Sequence, residues 1–177
     1  METNRIQTPL LLTSYLFEYP SADWWEGVPT HAAAVADVER PQSREVFEEF
    51  FGYIGETERQ EFEDAYVRAF DFSQNTNLYL TMHNRTDFGK QSEEMLAYKQ
   101  LFLDSGFDID RELPDYLPAI LELAAAVPEE RAEYILSQVR PKMELLRDRL
   151  IEAKLPYAFL IDVVLTEAAS LVGRSAS

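Results

Sequence analysis

Carboxylates are the side chains this sequence holds in excess for chemistry. Between Gln42 and Asp71 stand nine acids (Glu45, Glu48, Glu49, Glu56, Glu58, Glu61, Glu63, Asp64 and Asp71) against three arginines. Several recur at i, i+3 or i+4, which places them on one helix face, where paired carboxylates can hold a metal ion or trade a proton. The same spacing describes a solvated acidic face, and that is the expectation here. Only two histidines exist, His31 and His83, and neither has a Glu three residues before it, since Val28 and Leu80 stand there. The Glu-x-x-His pattern of di-iron bundles is therefore missing. There is no cysteine, no H-E-x-x-H, no G-x-G-x-x-G, no Gly-Lys-Ser/Thr and no G-x-S-x-G, and Gly89-Lys90-Gln91 is not a phosphate cradle. Each histidine reads as an ordinary surface or loop residue. Catalysis has little to stand on, so neither a catalytic residue nor a resident metal or cofactor is expected.

A second set of residues suits reception rather than reaction. Asp110-Arg111-Glu112-Leu113-Pro114-Asp115-Tyr116-Leu117-Pro118 carries two prolines four apart, which fix φ and push the preceding leucines toward extended conformations. Glu112 and Asp115 put carboxylates on this stiff frame, beside the ring and hydroxyl of Tyr116. One reading is a rigid helix entry in which Asp115 caps the helix that follows. The other is a pre-organised rim that receives a partner's basic and apolar side chains.

The elements that must position these residues read as helical throughout. Thr8-Pro9 suggests an N-cap with proline at the first helical position, opening Leu10–Tyr19, which Pro20 closes. Ser21–Glu39 is weaker helical material interrupted by Gly27 and Pro29, and a third helix runs over Ser43–Tyr53, ending in Gly55. Thr57 and Gln60 form a capping box for a fourth, in which Phe62, Tyr66 and Phe70 make one apolar stripe. Asp71–Met82 is a loop, with Leu78–Met82 a short helix or an isolated strand. The next helix spans about Asp87–Ser105, with Met95 and Phe102 inward and Gly106 terminating it. Asp108–Pro118 leads into Ala119–Val127. Pro128-Glu129-Glu130 then opens a long helix, with Leu136, Val139, Met143, Leu146 and Leu150 at 3-4-3-4 spacing and Pro141 inside it to kink or split it. Lys154-Leu155-Pro156 breaks the chain before a last helix, Tyr157–Val172. No segment alternates with period two over any length.

These elements predict an all-α fold, a single-domain bundle of about six to eight helices covering residues 1–177. The chain is long enough for a continuous core, and 46% hydrophobic residues place it among globular rather than disordered chains. A formal net charge of -16 disfavours nucleic acid and anionic membrane surfaces as partners and favours basic peptides. No stretch approaches the roughly 20 apolar residues of a membrane span, and Leu10–Leu12 is too short for a signal-peptide core. With the absence of cysteine, this makes the cytoplasm the expected compartment.

The Asp110–Pro118 segment resembles the corresponding segment of the nitrate reductase assembly chaperones, the NarJ family, within the helical TorD-like and DmsD-like redox-enzyme maturation chaperones. The likeness extends upstream through Tyr66-Val67-Arg68-Ala69-Phe70-Asp71, Leu78-Tyr79-Leu80-Thr81, Tyr98-Lys99 and Gly106. Downstream it continues through Leu121-Glu122-Leu123-Ala124 and Pro156-Tyr157-Ala158, so that it covers about Phe62–Val164. The chain departs from the family in carrying Tyr116 where relatives commonly have His, and in a more acidic Asn84–Glu94 turn. The resemblance implies a TorD-like fold and a system-specific chaperone, not an enzyme. Such a chaperone binds the N-terminal segment of the apo α (catalytic) subunit of respiratory nitrate reductase and assists molybdenum cofactor insertion and complex assembly before membrane attachment. It implies molybdenum cofactor biosynthesis proteins as further partners and no stable membrane association. An amphipathic peptide would then lie in a groove lined by Phe70, Tyr79, Leu80, Leu113, Pro114, Tyr116 and Pro118 and rimmed by Glu112 and Asp115. The rival clients are other molybdoenzymes such as dimethyl sulfoxide or trimethylamine N-oxide reductases, and the rival class is a helical enzyme using clustered carboxylates and a metal.

Overall fold

Proline, glycine and the apolar stripes set the helix boundaries, and the boundaries set the architecture. In a computed structural model of the chain, which describes residues 4–84, 87–108 and 113–175, eight α-helices follow one another. They are α1 (Gln7–Phe17), α2 (Ala22–Ala34), α3 (Pro41–Glu56), α4 (Arg59–Phe70), α5 (Phe88–Asp104), α6 (Leu117–Ala125), α7 (Glu129–Glu152) and α8 (Ala158–Ser175). Short 3-10 turns occupy Val35–Asp37 and Leu80–Asn84. The all-helical expectation holds: among the described residues the one piece of β pairing is an isolated antiparallel bridge, Tyr79 to Tyr116. No helix is long and apolar enough to cross a membrane, again among the described residues.

α6 is apolar almost all round and takes the centre, with Leu117, Pro118, Ile120, Leu121, Leu123, Ala124 and Ala125 all buried. α1 packs on α6 and α8, α7 on α8 and α6, and α3 on α8, while α5 rests on the Leu80–Asn84 turn. The five apolar positions of α7, Leu136, Val139, Met143, Leu146 and Leu150, are each no more than 1% exposed. Of the two outcomes expected for Pro141, a kink or a split, the split does not occur: α7 is continuous through it. Pro141 lies on the exposed side, so the carbonyl that loses its helical donor can turn to water. Gly27 and Pro29 likewise leave α2 continuous. Gly27 is there for a close approach: a Cβ would stand 3.3 Å from the Tyr15 hydroxyl and 3.4 Å from His31 Nδ1.

Two sequence-level caps are corrected by the structure. α1 starts at Gln7, before Thr8, and its entry is held by Asn4, whose Oδ1 accepts from the Ile6 N–H at 3.2 Å. The Asn4 amide donates to the Ala124 and Val127 carbonyls at 2.8 and 2.7 Å, tying the chain start to the end of α6. Pro9 costs nothing at the third helical position, where no N–H has a helical acceptor. The Thr57–Gln60 capping box does not form. The Thr57 hydroxyl donates backward to Tyr53 O at 2.6 Å, and Gln60 donates to Asp64 at 2.9 Å.

α5 and α7 end in the same way. Beyond α5, Gly106 has φ +85, its N–H reaches Leu103 O at 3.0 Å and the Phe107 N–H reaches Phe102 O at 2.9 Å. Beyond α7, Lys154 takes the left-handed position with φ 59, its N–H bonds Ile151 O, and the Leu155 N–H bonds Leu150 O, both at 2.9 Å. This pair of bonds is the Schellman closure, which favours glycine at the left-handed residue. Lys154→Gly is therefore expected to stabilise the fold by about 0.5–1 kcal/mol, net of the extra freedom glycine has when unfolded. A calorimetric melt would show this as a rise of about 1–4 °C. An unchanged or lower midpoint would mean that the lysine carries compensating contacts.

Candidate peptide-binding site

Two tripeptides from distant parts of the chain, residues 78–80 and 115–117, meet at the candidate site through an isolated antiparallel bridge. The Leu80 N–H donates to Asp115 O at 2.9 Å and the Leu117 N–H donates to Leu78 O at 2.9 Å. That pairing sets Tyr79 opposite Tyr116, and their rings stack with centroids 4.8 Å apart at 29°. Tyr116 is extended as the N-cap of α6, between the buried Pro114 and Pro118, and a Tyr116 N–H to Leu113 O bond of 3.1 Å closes the turn. Leu117, expected to be extended ahead of Pro118, is instead the first residue of α6, with the proline in the first helical turn where its missing N–H costs nothing.

Asp115 neither caps α6 nor stands at a surface rim. The N-cap of α6 is Tyr116, with no side-chain cap. The Asp115 carboxylate instead turns inward, where Oδ2 accepts from the Thr81 N–H at 3.1 Å and from the Thr81 hydroxyl. Asp115 is 1% exposed and Thr81 wholly buried. Oδ1 of Asp115 is buried with no hydrogen-bond partner among the described residues. Burial pushes the Asp115 carboxyl above the usual carboxylate range; the bonds from Thr81 oppose the shift and the charge of Glu94 adds to it. Asp115 is an internal tether between the Leu80–Asn84 turn and the entry to α6.

The other expected site residues divide by burial. Phe70 belongs to the aromatic core, against Phe17, Tyr66 and Tyr157 at centroid distances of 6.0, 4.8 and 4.7 Å. Leu80 is fully buried, as are Pro114 and Pro118 for the most part. Tyr79 and Tyr116 are half-buried, and Leu113 is 55% exposed. Glu112 lies outside the described residues. Tyr116 and Pro118 line a cleft of about 370 Å³ together with Glu18, Tyr19, Ser21, Ala119 and Glu122. The sequence reading named none of Glu18, Tyr19, Ser21, Ala119 and Glu122 in this cleft, nor Thr81 beside Asp115. Thr81 and Glu122 stand within the Leu-Tyr-Leu-Thr and Leu-Glu-Leu-Ala elements that carry the resemblance, which was the available signal.

The acidic stretch behaves as a solvated face. Eight of its nine carboxylates are exposed. The ninth, Glu63, is half-buried, pairing with Arg59 at 3.4 Å and accepting from Trp25 Nε1 at 3.1 Å. Among the described residues no group of three His, Asp or Glu side chains is arranged to hold a metal ion. The histidines are less ordinary than expected. His83 is 5% exposed, with Nε2 facing Asn77 O at 2.7 Å and Nδ1 facing Arg149. His31 stacks on Tyr15 with centroids 3.6 Å apart.

Comparison of the sequence with known proteins gives its family. The family model described as nitrate reductase delta subunit matches residues 37–161. A probable nitrate reductase molybdenum cofactor assembly chaperone, NarJ, of Bacillus subtilis strain 168 is 32% identical over 166 residues, which is 93% of this chain and 90% of that protein. The nitrate reductase molybdenum cofactor assembly chaperone NarJ of Escherichia coli K12 is 27% identical over 159 residues, 88% of this chain and 67% of that protein. The nitrate reductase-like protein NarX of Mycobacterium tuberculosis H37Rv is 31% identical over 160 residues, 81% of this chain but 24% of that longer protein. A family match over more than two thirds of the chain, and a relative matched almost end to end, make this chain a member of the nitrate reductase delta subunit family.

Proposed function

We propose that this chain is a chaperone, not an enzyme, that binds the N-terminal segment of the apo catalytic subunit of a respiratory nitrate reductase. It does so in the cytoplasm, while the molybdenum cofactor is inserted and before the complex attaches to the membrane. The observation that carries this reading is the near end-to-end likeness to the Bacillus subtilis chaperone. The stacked Tyr79–Tyr116 pair beside an open cleft supports it, because half-buried aromatic rings on a stiff frame give contact area at little cost in conformational entropy. The surplus of 32 acids over 16 bases would steer a basic peptide toward the chain.

Calorimetry with a peptide copying the first residues of the nitrate reductase catalytic subunit of the same organism tests this directly. Saturable heat at micromolar peptide is the expected result. No heat at high micromolar peptide sinks the proposal, and heat with the corresponding peptide of a dimethyl sulfoxide or trimethylamine N-oxide reductase alone reassigns the client. Tyr116→Ala, which removes one ring of the stacked pair, is expected to weaken binding about 5- to 30-fold while circular dichroism stays that of the parent.

A further inference from the structure

Few apolar side chains hold α5 to the bundle. Tyr98, Leu101 and Phe102 are the buried ones among its 17 residues, against seven of nine in α6. Its backbone rests on the Leu80–Asn84 turn. Between α5 and α7 runs a groove of about 590 Å³, lined by Ala97, Tyr98 and Leu101 on one side and by Tyr134, Gln138 and Leu145 on the other. Along this groove the two helices stand apart, and polar side chains bridge them.

At one end Arg131 of α7 donates to Ser105 Oγ at 3.0 Å and to Leu101 O at 3.4 Å. Toward the other end, side chains from three elements close on one another. Lys142 Nζ of α7 donates to Asn84 Oδ1 at 2.7 Å, Asn84 Nδ2 of the turn donates to Glu94 of α5 at 3.0 Å, and Lys142 stands 3.6 Å from Glu94. The Lys142 and Glu94 side chains are 14% and 22% exposed, so water screens this pair less than the surface pairs Arg44–Glu48 and Arg140–Glu144. Tyr98, one turn beyond Glu94, is within reach of both Glu94 and Asp115, whose charges add to burial in pushing its phenol up. The triad thus adjoins the Asp115–Thr81 tether.

An element with few buried apolar contacts opens at a lower free energy than the whole fold. We propose that α5 is a flap that opens as a unit while the rest of the bundle stays folded, and that the Asn84–Glu94–Lys142 triad is the latch that keeps it closed. The turn beneath the flap follows Tyr79 directly and carries Thr81, so closure also holds Tyr79 in place against Tyr116. As control of that aromatic pair it rests on the peptide-binding reading above; the opening itself does not.

Amide hydrogen exchange of the full chain, followed by NMR, tests the opening. Amides of residues 95–103 are expected to exchange faster than those of residues 120–124 in α6, with a shallower dependence on urea. Lys142→Met keeps the side chain's length and removes its charge. It is expected to raise exchange in α5 about 5- to 30-fold and to leave α6 within about twofold. Adding Glu94→Gln to Lys142→Met should change little more, because the carboxylate left without its cation is then gone. One urea dependence shared by α5 and α6, a Lys142→Met effect spread evenly over all helices, no effect on α5, or effects of the two substitutions that multiply would overturn the proposal. The client peptide tests the control. At ten times its Kd, a peptide that binds only the closed flap slows α5 exchange about tenfold. A peptide that gives saturable heat yet leaves α5 exchange unchanged removes the control and keeps the chaperone reading. A peptide that does not bind removes the chaperone reading, and the latch is then decided by the exchange of the free chain and its variants.

Discussion

Asp115→Ala is expected to destabilise the chain by about 2–4 kcal/mol, because it strands two buried donors of Thr81 at once. Thr81 is wholly buried, so its N–H and hydroxyl have no water to turn to. Each unsatisfied group costs about 1–3 kcal/mol, and relief of the buried carboxylate's own desolvation offsets part of the sum. Asp115→Asn separates the two effects, since its amide oxygen still accepts from Thr81 but the side chain cannot ionise. Its Nδ2 then stands where the partnerless Oδ1 was, so the change should cost about 1–3 kcal/mol near neutral pH, less whatever the lost charge returns. The pH dependence gives the sharper contrast. Burial raises the Asp115 carboxyl in the folded chain, so the native state keeps a proton that the unfolded chain has already released. The parent's stability from this group is therefore greatest below the unfolded value of about 3.9 and falls as pH rises from there through the raised folded value, beyond which it is flat. Urea unfolding of the parent and Asp115→Asn between pH 5 and 8 measures the difference. The parent should lose ground to the Asn variant as pH rises until that plateau. A parent that gains on Asn with rising pH would show instead that the ionised carboxylate is the stabilising form.

Why Asp115 looked like a rim residue is itself physical. Its neighbours in sequence are prolines and a tyrosine, and an acid just ahead of an apolar helix is a good N-cap candidate. Its actual acceptor role is to Thr81, 34 positions away, and no local pattern encodes a bond of that span. The Tyr79–Tyr116 bridge was hidden for the same reason. Each tripeptide is too short to show strand periodicity, so pairing them needs the tertiary arrangement. Signals that depend only on nearest turns were legible. The 3-4-3-4 run of α7 is the core face, Gly106 ends α5 with positive φ, and the acids between Gln42 and Asp71 stay in water, where their charge is cheap to keep. Capping was the weak level, because a hydroxyl such as that of Thr57 can serve the helix behind it as well as the one ahead. For the cleft, Glu18 and Tyr19 sit beyond the end of α1 and join α6 only through packing, so a motif read along the chain stops short of them.

Phe70→Ala should cost about 3–5 kcal/mol of stability, which places that residue in the fold's foundation rather than among separable binding contacts. Phe70 closes the apolar stripe of α4 and is 4% exposed. Its ring meets Tyr157 at 80°, Phe17 at 74° and Tyr66 at 58°, so one truncation removes three aromatic contacts and opens a cavity among rings too rigid to collapse into it. Tyr66 also donates its hydroxyl to Phe17 O at 2.5 Å, which holds the neighbouring rings in place and limits relaxation further. Phe70→Leu keeps most of the volume and should cost about 1–2 kcal/mol. Guanidinium unfolding measures both losses, and peptide calorimetry on Phe70→Leu, under conditions where it is fully folded, measures what remains of binding. Because the Phe70 ring lies behind Tyr66 and not in the cleft, the Leu variant is expected to bind the client peptide within about twofold of the parent, against the larger loss set out for Tyr116→Ala. A fully folded Phe70→Leu that binds tenfold more weakly would return Phe70 to the peptide site and move the binding surface from the α1–α6 cleft toward the aromatic core.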